Sequence, residues 1–500
     1  MKKIRFIEPK SPDVHVFTRA AIPRLGTVLL GTTLQEAGYD VKCYVEEVAD
    51  MDLEDVLTAD AVGISCITST SMRSYEIAKL LKSTGIPVFM GGPHVTFLPD
   101  EALKYCDYVL KGECDDLILD FMKALETGEG LDDIPGLSYR DKNGEIHHNN
   151  APTFCKDMDT IPAPDFTLVK GLECGGFKKF AVTPVMTSRG CPYDCSFCSV
   201  TSMFGQKYRF RSTDNVMNEL RRNKEGGGKW VFFYDDNFTA DRKRTKVLLQ
   251  RMIDEKITPN WTAQIRVETA KDTELLDLMR RSGCHTVYIG FESVNPKTLE
   301  LYNKKQSVED IQNCIRILHD NKIRIHGMFV FGSDEDDIET IHQTVTFAKK
   351  NNLESVQFLI LTPLPGTKMH DDLASQNRIV SRDWSLYDAH HVVYEPKHMT
   401  YYELQHETLK ASRQFYSIGQ IVKQAFQFDT FSVVIKAYGR RMTNHWIHKN
   451  QYFIDYTRSL TKAGKAIELA AKKTAEDVKE QFRKLEISGH VHVQPGSKKS

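Results

Sequence analysis

The sequence contains no stretch that could span a bilayer as a helix. Its longest apolar runs, such as His326-Gly-Met-Phe-Val-Phe-Gly332 and Val356-Gln-Phe-Leu-Ile-Leu-Thr362, are of strand length, whereas a spanning helix needs about 20 residues. The first apolar run breaks at Glu8-Pro9, too early for a signal-peptide core. No strand is followed by the GxGxxG of a dinucleotide site, and Gly226-Gly-Gly-Lys229 lacks phosphate-loop spacing and precedes a strand, so it reads as a turn. Net charge is nearly absent, at -1, which removes whole-chain attraction to nucleic acid. Without an export signal the chain is expected in the cytoplasm, where thiols stay reduced, so its eleven cysteines are not expected to form a disulfide framework.

At about 150 residues per domain, 500 residues suggest three domains. Over residues 1–126, strand-length apolar runs (IRFIE, VKCYV, AVGIS, IPVFM, DYVLK) alternate with helical patterns, including one around 25–37 closed by Gly38. Runs apolar on both faces suit a parallel sheet covered by helices, and the region is expected to be flavodoxin-like. Residues 127–180, punctuated by Gly, Pro and Asp, read as a linker with a small hairpin at Asp141-Lys-Asn-Gly144. Residues 181–395 resume the alternation with six strands (VTPVMT, WVFFY, WTAQIR, TVYIGF, IHGMFVF, VQFLIL), which predicts a partial (β/α)6 barrel with its chemistry at the strands' C-terminal ends. Asp272, the Ser307/Asp310 pair and Asn295-Pro296 are read as helix starts. Beyond 396 the strand signal ends and a mainly α-helical domain is expected. There Phe431, Val434, Ile435, Tyr438, Met442, His445 and Trp446 form an apolar stripe that could pack on the barrel or rest on a membrane surface, 462–485 reads as a polar helix, and the last dozen residues as a loose tail. Residues 401–500 carry 17 basic and 9 acidic side chains, +8, and leave -9 for the rest of the chain.

Three cysteines are packed into one loop directly after the first strand of the second region: Thr187-Ser-Arg-Gly-Cys191-Pro-Tyr-Asp-Cys195-Ser-Phe-Cys198. Three thiolates at this spacing suit a [4Fe-4S] cluster whose fourth iron stays open to a small molecule. A structural zinc would need a fourth Cys or His close by, and the next His is His285, on another β/α unit. The segment resembles the signature of the radical S-adenosylmethionine (SAM) enzymes, CxxxCx(aromatic)C. The resemblance implies that Cys191, Cys195 and Cys198 ligate three irons, that the amino and carboxylate groups of SAM chelate the fourth, and that Phe197 packs near the adenine. It further implies that Asp235-Asp236-Asn237 meets the SAM amino group, that Glu292 and Ser293 belong to the ribose and carboxylate region, and that Gly332, in Val330-Phe-Gly-Ser-Asp-Glu335, lies in a further SAM-contact motif; Thr362-Pro-Leu-Pro-Gly366-Thr completes the pattern.

In the first domain Ser65 and Thr68 follow the strand AVGIS, and Gly91-Gly92-Pro93-His94 follows IPVFM. One hydroxyl-bearing and one glycine-bearing loop at adjacent strand ends suit a ligand tail threaded against the sheet. The run GGPHVTFLPDEAL…DYVLKGE resembles the cobalamin-binding domain fused to radical SAM enzymes. Asp13-Val-His15-Val-Phe-Thr18 matches at Asp and His the DxHxxG that supplies cobalt's histidine in other cobalamin domains, with Thr18 in place of the Gly; His15 as a cobalt ligand and as a plain loop residue are both open.

The resemblance implies a cobalamin-dependent radical SAM enzyme that abstracts hydrogen from an unactivated carbon through a 5'-deoxyadenosyl radical and methylates that carbon from methylcobalamin. An oxidative cyclase of the anaerobic magnesium-protoporphyrin monomethyl ester cyclase type, and a non-enzymatic cobalamin sensor, are the alternatives. The expected partners are a small-molecule or lipid-like substrate, a reductant such as flavodoxin or ferredoxin, no nucleic acid, and peripheral membrane contact through the C-terminal region. Trp384, Tyr387, His390 and His391 are candidate substrate readers.

Overall fold

The computed structural model describes residues 2–12, 22–172 and 182–487. Asp13, His15, Cys174 and the C-terminal tail beyond 487 lie outside these.

The first region forms one sheet. Strands β1 (Lys3–Glu8), β2 (Asp40–Val45), β3 (Ala61–Ser65), β4 (Val88–Gly91) and β5 (Tyr108–Leu110) are parallel in the order β2-β1-β3-β4-β5, the flavodoxin-like order. Their nearly continuous burial has a direct cause, since a separate apolar cluster covers each face. The helix Leu25–Glu36 lies on one of these faces and Gly38 follows it at φ 92.

Residues 127–172 do more than link. Strands β6 (Leu137–Arg140) and β7 (Ile146–His148), on either side of the expected turn, extend the same sheet, β6 antiparallel to β5 and β7 antiparallel to β6. Downstream, Met158, Ile161, Phe166, Leu168 and Val169 fill the first cluster. The Gly and Pro spacing marked the turns, but whether a short segment packs depends on apolar area buried elsewhere in the chain.

In the second region, β8 (Thr183–Val185) opens the barrel sheet. The two-residue strands β9 (Ser188–Arg189) and β10 (Arg209–Phe210) pair antiparallel as a separate clip. Strands β11 (Trp230–Phe233), β12 (Asn260–Ile265), β13 (Cys284–Glu292), β14 (Arg324–Phe331) and β15 (Ser355–Ile360) continue the sheet, all parallel, in the order β15-β14-β13-β12-β11-β8. The helix starts fall where expected. Asp272 accepts the Leu275 N–H, Ser307 and Asp310 form a reciprocal capping box, and Asn295 caps a helix with Pro296 at its first position; each such cap contributes about 1 kcal/mol.

Helices Tyr401–Phe415, Ile418–Phe426, Thr430–Lys449 and Gln451–Ile487 complete the described residues, and none among these is long and apolar enough to cross a membrane. Phe415 and Tyr416 enter the barrel core, and the Tyr416 hydroxyl donates to Val356 O at 2.6 Å while accepting its N–H at 3.0 Å. The stripe read in Thr430–Lys449 is rotated. The buried face is Ser432, Lys436, Gly439, Met442, Thr443 and Trp446, whereas Val434 is 67% exposed and His445 is also exposed. Lys436 is drawn inside because its ammonium donates to Leu353 O at 3.0 Å and sits 3.8 Å from the Phe415 ring centre, contacts that offset its desolvation.

Candidate active site

The loop with the three cysteines hangs from the β9–β10 clip. Gly190, φ 92, turns the chain out of β9 where a Cβ would stand 2.6 Å from Lys207 O, so no other residue fits without moving the clip. Barrel loops at the C-terminal ends of β12, β13 and β15 then grip it. Tyr193 donates to Glu268 at 2.5 Å, and the Arg266 guanidinium lies 3.7 Å from the Tyr193 ring centre while bonding Glu268 at 2.8 Å. Asn303 donates to Asp194 O at 3.0 Å, and Met369 N–H to Ser196 O at 3.0 Å. Cys191, Cys195 and Cys198 are free and half-buried.

Among the described residues no three His, Cys, Asp or Glu side chains converge on a single ion. A four-iron cluster asks for something else, because each thiolate takes its own iron. Burial pushes the Cys198 thiol up to about 12 and the Cys191 thiol up as well; bound iron reverses that cost by supplying positive charge. The free thiols, their shared loop and the cationic Arg266 beside it fit the cluster.

A cavity of about 440 Å³ separates this clip from the first sheet. It opens at the C-terminal ends of β1, β3 and β4, next to the point where strand order reverses, the usual ligand crevice of such sheets. Ser65, Gly91 and Gly92 line one side, and Ser188, Arg189, Tyr234, Asp236 and Gln264 the other. Phe6, Leu25, Phe89, Met186, Met203 and Phe232 make much of the wall apolar. Arg24 also lines it. Its Nε is 3.2 Å from the buried Glu8 carboxylate, while its Nη1 is buried with no hydrogen-bond partner. An orphaned guanidinium N–H, a wall free of Cβ at Gly91 and Gly92, and a mainly apolar lining suit a large cofactor with amide or phosphate acceptors, as cobalamin has.

The residues expected to touch SAM divide. Asp236 opens onto the cavity but is ringed by protein, and burial, then the neighbouring Asp235 charge, pushes its carboxyl up to about 7. Asp235 is turned away and occupied, accepting from Thr187 N–H at 3.0 Å, Thr187 Oγ1 at 3.0 Å and Ser188 Oγ at 2.6 Å. Asn237 is buried, its carbonyl accepting from the Tyr208 hydroxyl at 2.9 Å. Phe197 packs edge-on against Tyr302, ring centres 4.9 Å apart. Glu292 sits at a register shift of β13 with φ 62 and pairs with buried Lys304 at 2.8 Å. Ser293 accepts the Asn295 N–H, and Gly332 O accepts the Tyr394 hydroxyl. Thr68 is buried beside His94 Nδ1 at 3.4 Å rather than in the cavity wall. The structure thus gathers Ser65, Gly91, Gly92 and Asp236 around one space, with the cysteine loop adjoining, and does not bring Thr68, Asn237, Phe197, Glu292, Ser293 or Gly332 to its lining.

Sequence reasoning missed the groups that join the halves. Glu113 receives both arms of Arg209, at 2.6 and 2.5 Å, and Asp115 both arms of Arg189, at 2.5 and 3.1 Å. The only available signal was the acidic run Glu113-Cys-Asp-Asp116 after a strand and an Arg immediately before Gly190-Cys191. Trp384 forms a similar tie, its Nε1 donating to Glu101 at 2.8 Å and its ring meeting His94 edge-on. His391 is buried, paired with Asp388 at 3.0 Å and packed on Trp446. These bonds give Trp384 and His391 structural work.

Residues 185–348 match the family model of the radical SAM superfamily, and residues 18–121 that of the B12 binding domain. An uncharacterized methyltransferase of Pyrococcus horikoshii is 32% identical over 454 residues, 87% of this chain and 96% of that protein. The bacteriochlorophyllide d C-12(1)-methyltransferase of Chlorobaculum tepidum is 30% identical over 432 residues, 85% of this chain and 89% of that protein. In fold the chain is similar to the cobalamin-dependent S-adenosylmethionine radical enzyme OxsB, solved with aqua-cobalamin and S-adenosylmethionine bound, with a TM-score of 0.67 at 15% identity over 99% of this chain and 82% of that one. With both family models matched and the Pyrococcus relative covered almost end to end, the chain belongs to the cobalamin-binding radical SAM enzymes, whose cofactors are a [4Fe-4S] cluster, SAM and cobalamin.

Proposed function

We propose that the protein methylates an unactivated carbon of a small-molecule or lipid-like substrate. The observation that carries the reading is the single cavity shared by the strand-end loops of the first sheet and the cysteine clip of the barrel. Methyltransferase is also the activity in the names of the Pyrococcus and Chlorobaculum relatives, which supports it. We assign cobalamin to residues 1–126, extended by the sheet edge that follows, radical chemistry to 181–395, and substrate or surface contacts to 396–500.

Cys191, Cys195 and Cys198 would hold the cluster, and Ser65, Gly91, Gly92 and Arg24 the corrinoid. Bound together, these groups and SAM supply a hydrogen-abstracting radical and a transferable methyl group. The chain's own contribution is placement and exclusion. Tyr193, Arg266 and Glu268 fix the cysteine loop on the barrel, and the apolar wall keeps water from a reactive centre. Asp236, the open carboxylate, is suited to hold an ammonium group or a proton at the edge of that space. A flavodoxin or ferredoxin would supply the electron, and peripheral membrane contact through the C-terminal region belongs to the same reading.

Incubation with SAM carrying a labelled methyl group tests it. The label is expected in the product; label recovered only in methionine overturns methylation in favour of a cobalamin-assisted oxidation. Replacing all three cysteines by Ala should abolish 5'-deoxyadenosine formation, and unchanged formation would refute the enzyme assignment.

A further inference from the structure

Among the described residues, the C-terminal helices leave an apolar surface uncovered between Ile418 and Val434. Ile418, Val422 and Phe426 stand four residues apart on the helix Ile418–Phe426 and so share a face. They are 61%, 46% and 80% exposed, and the turn and helix that follow add Phe428 at 89% and Val434 at 67%. Phe428 has φ 56, the left-handed position after a helix that Gly or Asn usually fills. An aromatic is held there at a backbone cost, and its ring gains almost no packing in return.

This tip is presented on a fixed base. Gln424 and Lys436 are buried behind it, Lys423 bonds Asn352 at 2.9 Å, and Phe431 packs against His285 and under the Arg324 guanidinium. Cys284, Arg324 and Ser355 begin β13, β14 and β15, so the hairpin lies at the strands' N-terminal ends, away from the cavity.

Its surroundings are basic. Between Arg413 and Arg441 the chain carries Arg413, Lys423, Arg440 and Arg441, besides the buried Lys436, against Asp429 alone. The Asp429 carboxylate is engaged by the Ser432 N–H and hydroxyl. Lys349 and Lys350 end the neighbouring helix, next to the Asn352 that Lys423 bonds.

We propose that the hairpin 418–434 docks the protein on a bilayer bearing anionic lipid, Phe426 and Phe428 entering the interfacial layer while the flanking lysines and arginines meet the headgroups. The proposal rests on the membrane-facing reading of the C-terminal region. It assigns the contact to the hairpin instead of the stripe from Phe431 to Trp446, much of which is spent on the barrel.

The test is flotation of the full-length protein with vesicles of phosphatidylcholine alone and of phosphatidylcholine with phosphatidylglycerol. Wild type is expected to rise with the anionic vesicles and less with the neutral ones, an advantage that added salt reduces. The Phe426→Ser/Phe428→Ser variant should lose binding by about tenfold or more, with its circular dichroism and melting temperature unchanged because both rings are exposed. Wild type that stays down with anionic vesicles overturns the membrane reading of the whole C-terminal region. A double variant that floats as well as wild type overturns the hairpin alone. A wild-type dimer that the double variant converts to monomer in sedimentation equilibrium assigns the surface to a second copy and also overturns the proposal.

Discussion

Asp235 and Asp236 are consecutive in the chain and face opposite ways: the first carboxylate is surrounded by Thr187 and Ser188, the second opens onto the cavity between the two sheets. One anchors the segment that leads into the cysteine loop; the other is free to meet a ligand.

Asn substitutions should therefore separate them. Asp235→Asn turns an acceptor into a group that also donates toward three donors, and is expected to cost about 1–3 kcal/mol, read as a lower melting temperature. Asp236→Asn should leave the melting temperature close to wild type at pH 5 and weaken SAM binding, measured by equilibrium titration of the reconstituted protein. If the two variants lose stability equally, the division of labour is wrong.

The Asp236 carboxyl also predicts a pH dependence. Its folded value, pushed up to about 7, lies above the ordinary value near 4. Between these the folded state binds the additional proton, so this group's contribution to stability falls as pH rises through that window. Asp236→Asn should remove the decline, making the variant more stable relative to wild type at pH 8 than at pH 5. Melting curves at the two pH values check the sign.

Arg24 has one guanidinium N–H in use toward Glu8 and another buried without an acceptor. Arg24→Lys keeps a positive charge for Glu8 but cannot serve both directions. Hydroxocobalamin binding, followed by absorbance, is expected to weaken by about tenfold, the worth of one charge-assisted hydrogen bond. An unchanged Kd would mean that the orphaned N–H faces no part of the cofactor.

Arg266 places a positive charge against the cysteine loop. Arg266→Gln removes it, which should make reduction of the cluster harder and lower its midpoint potential by on the order of tens of millivolts. Tyr193→Phe loses the bond to Glu268 but keeps the ring under the guanidinium, and should shift the potential less. Electron paramagnetic resonance during redox titration gives both values; a higher potential in Arg266→Gln would contradict the assignment.

Gly91 and Gly92 are adjacent but answer to different constraints. At Gly92, φ 106, a Cβ would stand 2.7 Å from Cys66 O, so Gly92→Ala is expected to destabilise the fold by about 1–2 kcal/mol or more. At Gly91 a Cβ would meet only Leu110 O, at 3.6 Å. Gly91→Ala should melt as wild type does and show its effect in cobalamin affinity.

What was legible in the sequence was what one segment settles by itself. The cysteine spacing needs only a single loop, and Asp272, Ser307 and Asn295 cap helices through bonds two or three residues away. Apolar runs locate strands because burial on both faces removes polar alternation. What was not legible depended on a distant partner. Arg209 and Glu113 are 96 positions apart and Tyr394 and Gly332 are 62 apart, and no local pattern distinguishes Asp235 from Asp236 or announces that Glu292 is taken by Lys304. Hydropathy also misplaced the face of Thr430–Lys449, because it counts a lysine as outward and has no means of seeing the Leu353 carbonyl and Phe415 ring that hold Lys436 inside.

The ties of Arg209 to Glu113, Arg189 to Asp115 and Trp384 to Glu101 bear on the lifetime of the loaded enzyme. These ties join the two halves whose residues line the cavity, so a corrinoid held there is expected to be retained for as long as the halves stay joined. On the proposed reading the corrinoid is expected to act as an installed part, with SAM and substrate the components that exchange with solution in every cycle.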